Sequence, residues 1–289
     1  MAVAMEYRQF GRSKVKVSVV GMGTYIDLLP SLAASFLNYQ AGREEKIAAL
    51  KKGIELGISL IDTAEGYGTE ANVAEAIKSY KRDELFIATK VGPTHLKYDQ
   101  VLKAARRSLQ RLQSSYIDLY QIHYPSPFGR VPIKETMRAM EKLVDGGKVK
   151  YIGVSNFSLA QTKEAEQALS RHELVSTQMR YSLKTRGIEA DLLPYCEQNG
   201  IAILAYRPIA HGVLANPSGK LKAVMDEISK AHARKTPAQI ALSWMVNKSK
   251  LVFPIPRASR PERAVENAGA VGWSLTPEES SRLEDCLRE

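Results

Sequence analysis

Short runs that are apolar at nearly every position recur eight times along the chain. They are "VSVVGMG" (17–23), "ISLID" (58–62), "LFIAT" (85–89), "IDLYQI" (117–122), "YIGVS" (151–155), "LVSTQM" (174–179), "IAILAY" (201–206) and "LVFPI" (251–255). Between them lie longer stretches of helical period, such as Val101, Leu102, Ala105, Leu109 and Leu112. Strands apolar on both faces belong in a parallel sheet covered by helices. Eight such units close naturally into an α/β, (β/α)8 TIM barrel, which typically needs ~250 residues. An open doubly wound sheet is the competing architecture, but "GMGT" after the first run is not GxGxxG and no helix starts there.

Smaller signals complete the outline. "YRQFGRSKVKVSVV" predicts a short N-terminal β-hairpin turning near Gly11. Thr236-Pro-Ala-Gln239 and Thr276-Pro-Glu-Glu279 match capping boxes with proline in the first turn. The second of these opens an extra C-terminal helix near 277–287. Gly146-Gly147 and Gly200 are placed to stop helices ahead of the next strand. With no low-complexity stretch or linker, residues 1–289 are expected to form one domain.

Composition narrows the class. At 44% hydrophobic and 25% charged, the chain has the makeup of a globular protein. No apolar run approaches the ~18 residues of a membrane span, and "MAVAMEYRQFGRSK" has no apolar signal-peptide core. Two cysteines, Cys196 and Cys286, leave no room for a disulfide framework or zinc spacing. The expectation is a cytoplasmic protein without a membrane or metal partner. The net charge of +10 is spread along helices such as "KAARRSLQRLQ". No nucleic-acid-binding module accompanies it, so solvated helix faces or attraction of an anionic small molecule explain it better.

Barrel chemistry sits at the C-terminal ends of the strands. Those positions here read Gly23-Thr24, Asp62, Lys90, His123, Ser155-Asn156, Gln178, Tyr206 and Arg257. Asp62 and Lys90 end neighbouring strands ~4.8 Å apart, close enough for an ion pair. That pair can be a rim salt bridge. It can also be a device in which Asp62 fixes Lys90 and Lys90 polarises Tyr67, five residues beyond Asp62. A phenol near pKa ~10 is a poor acid at neutral pH, and an adjacent ammonium would lower it. At an effective dielectric of ~20, unit charges ~4 Å apart interact by ~4 kcal/mol, enough to move the value by a few units. His123, from the fourth run, can orient the same oxygen.

The motifs "LIDTAEGYG", "IATKVG", "IDLYQIH", "YIGVSNF" and "PIPRASRPERAVEN" stand in the order and spacing of the aldo-keto reductases. The chain resembles that family over nearly its whole length. The resemblance implies NADPH-dependent reduction of aldehydes or ketones without metal, on an Asp62, Tyr67, Lys90, His123 tetrad. It places the nicotinamide carboxamide at Ser155, Asn156 and Gln178, and the ring against Tyr206. It runs the pyrophosphate along Arg207, Pro208, Ile209, Gly212 and Leu214, with Gly23, Thr24 and Pro256 nearby. It assigns the adenosine 2′-phosphate to Arg257 and Arg263 and adenine to Glu266 and Asn267. Ala258 replaces a serine common in the family, which removes one phosphate hydrogen bond and leaves NADH as a weaker alternative. Arg260 is expected to face solvent.

The remaining histidines, His95, His172, His211 and His232, have no ligand spacing; His95 and His211 are expected nearest the barrel mouth. Tyr25, Tyr124 and Phe128 are the candidate substrate residues. The Leu-, Phe- and Tyr-rich connection after Thr24 is expected to form a partly helical lip over the pocket. No long specificity loop follows the last helix, so an open pocket taking small-molecule carbonyl compounds broadly is expected. A pyridine-nucleotide-binding regulatory subunit of the same fold is the alternative. The sequence leaves oligomeric state open.

Overall fold

The computed structural model describes residues 5–25 and 42–287. The expected lip, 25–41, falls outside these apart from Tyr25. Strands β1 (Tyr7–Gln9) and β2 (Lys16–Ser18) pair antiparallel as the expected hairpin. Eight further strands pair in parallel and in chain order. These are β3 (Met22–Gly23), β4 (Leu60–Asp62), β5 (Phe86–Val91), β6 (Ile117–Ile122), β7 (Val149–Ser155), β8 (Leu174–Arg180), β9 (Ala202–Tyr206) and β10 (Val252–Pro254).

Hydrogen bonds from Gly21 N to Pro254 O (2.9 Å) and from Gly23 N to Pro256 O (3.0 Å) join the first and last of these strands. With the parallel bridge Gly23–Arg257, they close the ring. The fold is therefore the (β/α)8 barrel the apolar runs predict. The first run needs a correction. Residues 17–23 are not one strand, because Lys16–Ser18 belongs to the hairpin and only Met22–Gly23 enters the barrel.

Inward-facing side chains fill the barrel floor. Phe10, from the hairpin, is fully buried and packs on Phe86 and Phe253, with ring centroids 4.8 and 5.2 Å away. Leu60, Leu119 and Leu204 complete that layer. Gly11 makes the plug possible: its φ is +56°, and a Cβ there would stand 2.6 Å from Val175 O and 2.8 Å from Ala202 N. A larger second core lies between strands and outer helices, with Ile87, Ile122, Val154 and Ile203 meeting Val101, Met140, Ala165 and Trp244.

Both expected capping boxes form. Thr236 caps a helix over Pro237–Lys248 and Thr276 one over Pro277–Asp285. Gly146 and Gly200 end their helices as expected. The additional helices Pro261–Ala268 and Pro277–Asp285 follow the last strand. No helix of the described residues is long and apolar enough to cross a membrane.

Candidate active site

Successive inward positions climb from the floor to the C-terminal rim, where the residues change from apolar to ionisable. Asp62 is the last residue of β4, and Lys90 stands near the end of β5. Both are buried, at 2% and 0% exposure. Lys90 Nζ donates to Asp62 Oδ2 at 2.7 Å and to Thr63 O at 2.8 Å. Gln178, from β8, donates its Nε2 to the other oxygen, Asp62 Oδ1, at 2.8 Å. Burial pushes the Asp62 carboxyl up and the Lys90 ammonium down. Their mutual contact opposes both shifts.

After Asp62 the chain crosses Thr63 and Ala64 and makes one tight turn, Glu65–Tyr67, that sets the phenol over the rim. Tyr67 OH lies 3.4 Å from His123 Nε2. Lys90 Nζ stands 4.9 Å from the centre of the Tyr67 ring, meeting its face. The expected lowering of the phenol is not what this geometry produces. Burial is the largest influence and the Asp62 carboxylate the next, and together they hold Tyr67 above its ordinary value. His123 is pushed down to about 3, first by burial and then by the Lys90 ammonium. The resulting pair is a protonated phenol beside a neutral imidazole. Tyr25 packs edge-on to Tyr67 at 5.1 Å and Tyr124 stacks on His123 at 5.0 Å, so polar-tipped rings enclose the phenol.

A cleft of about 570 Å³ opens from these residues. Its wall carries Asp62, Tyr67 and His123 at one end and Arg257, Arg263, Glu266 and Asn267 at the other. Between them lie Ser155, Asn156, Gln178 and Tyr206, then Arg207, Pro208, Ile209 and Gly212. Gly23 and both tyrosines expected at the substrate, Tyr25 and Tyr124, also line it.

Five expected residues are not on that wall. Lys90 lies beneath the rim. Thr24 donates its hydroxyl to Asp62 O and meets Thr69 Oγ1 at 2.8 Å. Leu214 is fully buried in the core. Pro256 is buried, and its carbonyl closes the barrel. Phe128 points away at 93% exposure, with Arg130 5.5 Å from its ring, on a turn whose left-handed backbone (φ 56°) turns it outward. Gly66, Ala215, Asn216, Ala238, Ile255 and Ser259 also line the cleft without having been expected there. Of the two histidines expected nearest the mouth, His211 lines the cleft and His95 does not.

The middle of the cleft is a hydrogen-bonded chain. Ser155 Oγ donates to Gln178 O (3.0 Å), Asn156 Nδ2 to His123 O (2.9 Å) and to Ser155 Oγ (3.0 Å), and Tyr206 OH to Asn156 Oδ1 (2.8 Å). Both amide protons of Asn156 are thus engaged, and its oxygen keeps one free acceptor direction. At the far end Arg263 is exposed and pairs with Glu266 within one helical turn, while Thr236 Oγ1 donates to the other Glu266 oxygen at 2.9 Å. Asn267 Nδ2 reaches Arg257 O at 3.5 Å. Arg260 is exposed, 3.9 Å from Glu262, as expected. No cluster of three metal-ligating side chains occurs among the described residues.

Comparison with known proteins identifies the family. The aldo/keto reductase family model matches residues 34–288. Methylglyoxal reductase YeaE of Escherichia coli (strain K12) is 37% identical, over 93% of this chain and 91% of its own. A thermostable aldo-keto reductase crystallised with the inhibitor epalrestat superposes with a TM-score of 0.86 at 36% identity, covering 97% of this chain and 99% of its own. An aldo/keto reductase from Klebsiella pneumoniae, in complex with NADP and acetate, gives 0.82 at 34% identity, over 98% and 95% of the two chains. With a family model matching most of its length and relatives of this identity, the chain is a member of the aldo/keto reductase family.

Proposed function

We propose that this protein reduces aldehydes and ketones to alcohols with NADPH, using Tyr67 as the proton donor. The observation that carries the reading is the convergence of four side chains from two strands, one turn and the residue just past β6. The buried Asp62–Lys90 pair lies directly under the Tyr67 phenol, and neutral His123 lies beside it.

The cleft fits a long anionic dinucleotide. It runs continuously from the phenol to two exposed guanidiniums, Arg257 and Arg263, at the start of the helix Pro261–Ala268. A helix N-terminus adds free N–H groups and a favourable dipole for phosphate. Arg207, Ala210, His211 and Gly212 all have positive φ, so the loop after β9 turns repeatedly against the cleft. A side chain added at Gly212 would meet nothing within 4 Å, which leaves that stretch open to a phosphate. Asn156 Oδ1 and Gln178 would hold the carboxamide, Tyr206 the ring face, and Arg257 and Arg263 the 2′-phosphate. When bound, NADPH supplies a hydride.

The chain's own residues handle the proton. Tyr67 stays protonated across the working pH range because burial and Asp62 raise it. It can therefore hydrogen-bond a substrate oxygen and protonate the alkoxide, a far stronger base. Neutral His123 orients that oxygen without competing as an acid. The Lys90 ammonium over the Tyr67 ring stabilises the phenolate that forms. Polar-tipped rings from Tyr25 and Tyr124 favour small polar carbonyl compounds, in keeping with the methylglyoxal reductase relative.

The test is a panel of aldehydes and ketones run in both directions with NADPH/NADP and NADH/NAD. Rapid NADPH oxidation with small aldehydes is the expected result. Tight NADPH binding with almost no turnover across the panel would instead favour a nucleotide-sensing regulatory subunit.

A further inference from the structure

The segment from Asp62 to Glu70 is pinned to the barrel at both ends. At its start Asp62 and Thr63 hold Lys90. At its end Thr69 Oγ1 meets Thr63 and Thr24 at 2.9 and 2.8 Å, and buried Glu70 accepts from Thr89 and Arg111. The turn that carries the phenol lies between these pins. Gly66 lines the cleft and has nothing within 4 Å of where a side chain would begin, and Gly68 follows in a left-handed conformation at φ 70°.

Within that turn Glu65 is anchored. Its side chain is 9% exposed. Oε1 accepts from Gly92 N at 2.5 Å and meets His95 Nδ1 at 2.9 Å, while Arg107 lies 3.9 Å from Oε2. Gly92 stands two residues beyond Lys90, at the exit of β5. A Cβ at position 92 would lie 2.9 Å from Glu65 Oε1, so a side chain there would push the carboxylate tip off the Gly92 N–H.

From this geometry we infer that Glu65 is a positioning residue for the proton donor, clamping the Tyr67 turn to the loop that follows Lys90. The inference rests on the reading of Tyr67 given above. A clamp at Glu65 fixes the height of the phenol over the Lys90 ammonium and its distance to His123. An unclamped turn lets the phenol swing toward the cleft through Gly66 and Gly68, with the ammonium left behind. A misplacement of ~1 Å is sufficient to cost ~100-fold in rate.

The experiment is a cycle of Glu65→Ala, Tyr67→Phe and the double variant, measured as kcat, aldehyde KM, NADPH Kd and solvent deuterium isotope effect. Glu65→Ala should lower kcat by about 10- to 100-fold, leave NADPH Kd within about threefold, and raise the isotope effect as proton donation becomes limiting. Glu65→Gln keeps an oxygen for Gly92 N–H and should recover most of the rate. In the Tyr67→Phe background the same Glu65→Ala change should cost less than about twofold, because residues that act as one unit are not additive. Should Glu65→Ala fold poorly, Gly92→Ala breaks the clamp from the other side and should lower kcat in the same way. A full additional loss in the double variant, or equal losses in kcat and NADPH affinity, would overturn the inference. If Tyr67→Phe alone left turnover intact, the proton-donor reading itself would fall, a result distinguishable from failure of the clamp.

Discussion

At the scale of single residues, the rim shows one carboxylate serving two ends. Asp62 receives Lys90 on one oxygen and Gln178 on the other, so its second lone-pair set is not left unsatisfied in a buried place. Lys90→Met therefore strands a buried charge that keeps only the Gln178 bond. Removing one partner of such a pair typically costs ~3–5 kcal/mol, so the denaturation midpoint should fall clearly along with turnover. His123 gives a pH prediction. Its folded value, about 3, lies below the 6.5 of an unperturbed imidazole. As pH falls, the unfolded chain takes up that proton first. The neutral ring's contribution to stability is thus complete above ~6.5 and is lost as pH drops toward about 3. An NMR titration should find the His123 imidazole neutral throughout pH 5–8; protonation near 6.5 would contradict the buried geometry.

At the scale of elements, capping chemistry reached from sequence into the site. The box at Thr236 accepts from Gln239 N at 3.2 Å, and the same hydroxyl donates to Glu266 beside the cleft. Thr236→Ala should cost ~1 kcal/mol, typical for a lost cap, seen as a fall of about 2–4 °C in Tm. The helix Pro261–Ala268 carries the cofactor prediction. Arg263→Ala should weaken NADPH binding at least about tenfold and leave NADH nearly unchanged, as read by protein fluorescence quenching at one salt concentration. A parallel loss for both cofactors would mean Arg263 serves its helix, where it pairs with Glu266.

Strand existence was legible because apolar runs have few alternatives in a chain this long. The break within 17–23 was not, since both pieces are apolar and Val19 and Val20 stay buried outside either strand. Phe128 shows the other limit. Its aromatic character suggested the pocket, while its outward aim depends on a left-handed turn that no pattern of side chains encodes. The linkage of Glu65 to Gly92 is likewise tertiary, between segments 27 residues apart.

At the scale of the whole molecule, barrel closure brings residues from opposite ends of the chain into one cleft. Gly23 and Arg257 form a bridge, and Asp62 binds Gln178 across 116 positions. The net charge of +10 acts on top of that geometry. An anionic cofactor is drawn by the summed field, and salt screens it over ~10 Å at 0.1 M. Raising salt should weaken NADPH binding more steeply than NADH binding, because the 2′-phosphate adds a charge that the proposed Arg257 and Arg263 contacts would read.

The central claim is that the strand and turn from Leu60 to Gly68 deliver the proton donor. Single-turnover reduction of a small aldehyde by Tyr67→Phe, with NADPH affinity measured on the same preparation, tests it most directly. The ring and its contacts with Tyr25 and His123 remain, and only the hydroxyl is lost. General acid catalysis contributes ~10²–10⁴-fold, so the rate should fall by at least ~100-fold while NADPH affinity stays within about threefold. A variant that keeps about a third of the wild-type rate would contradict the account and move the proton to His123 or to water.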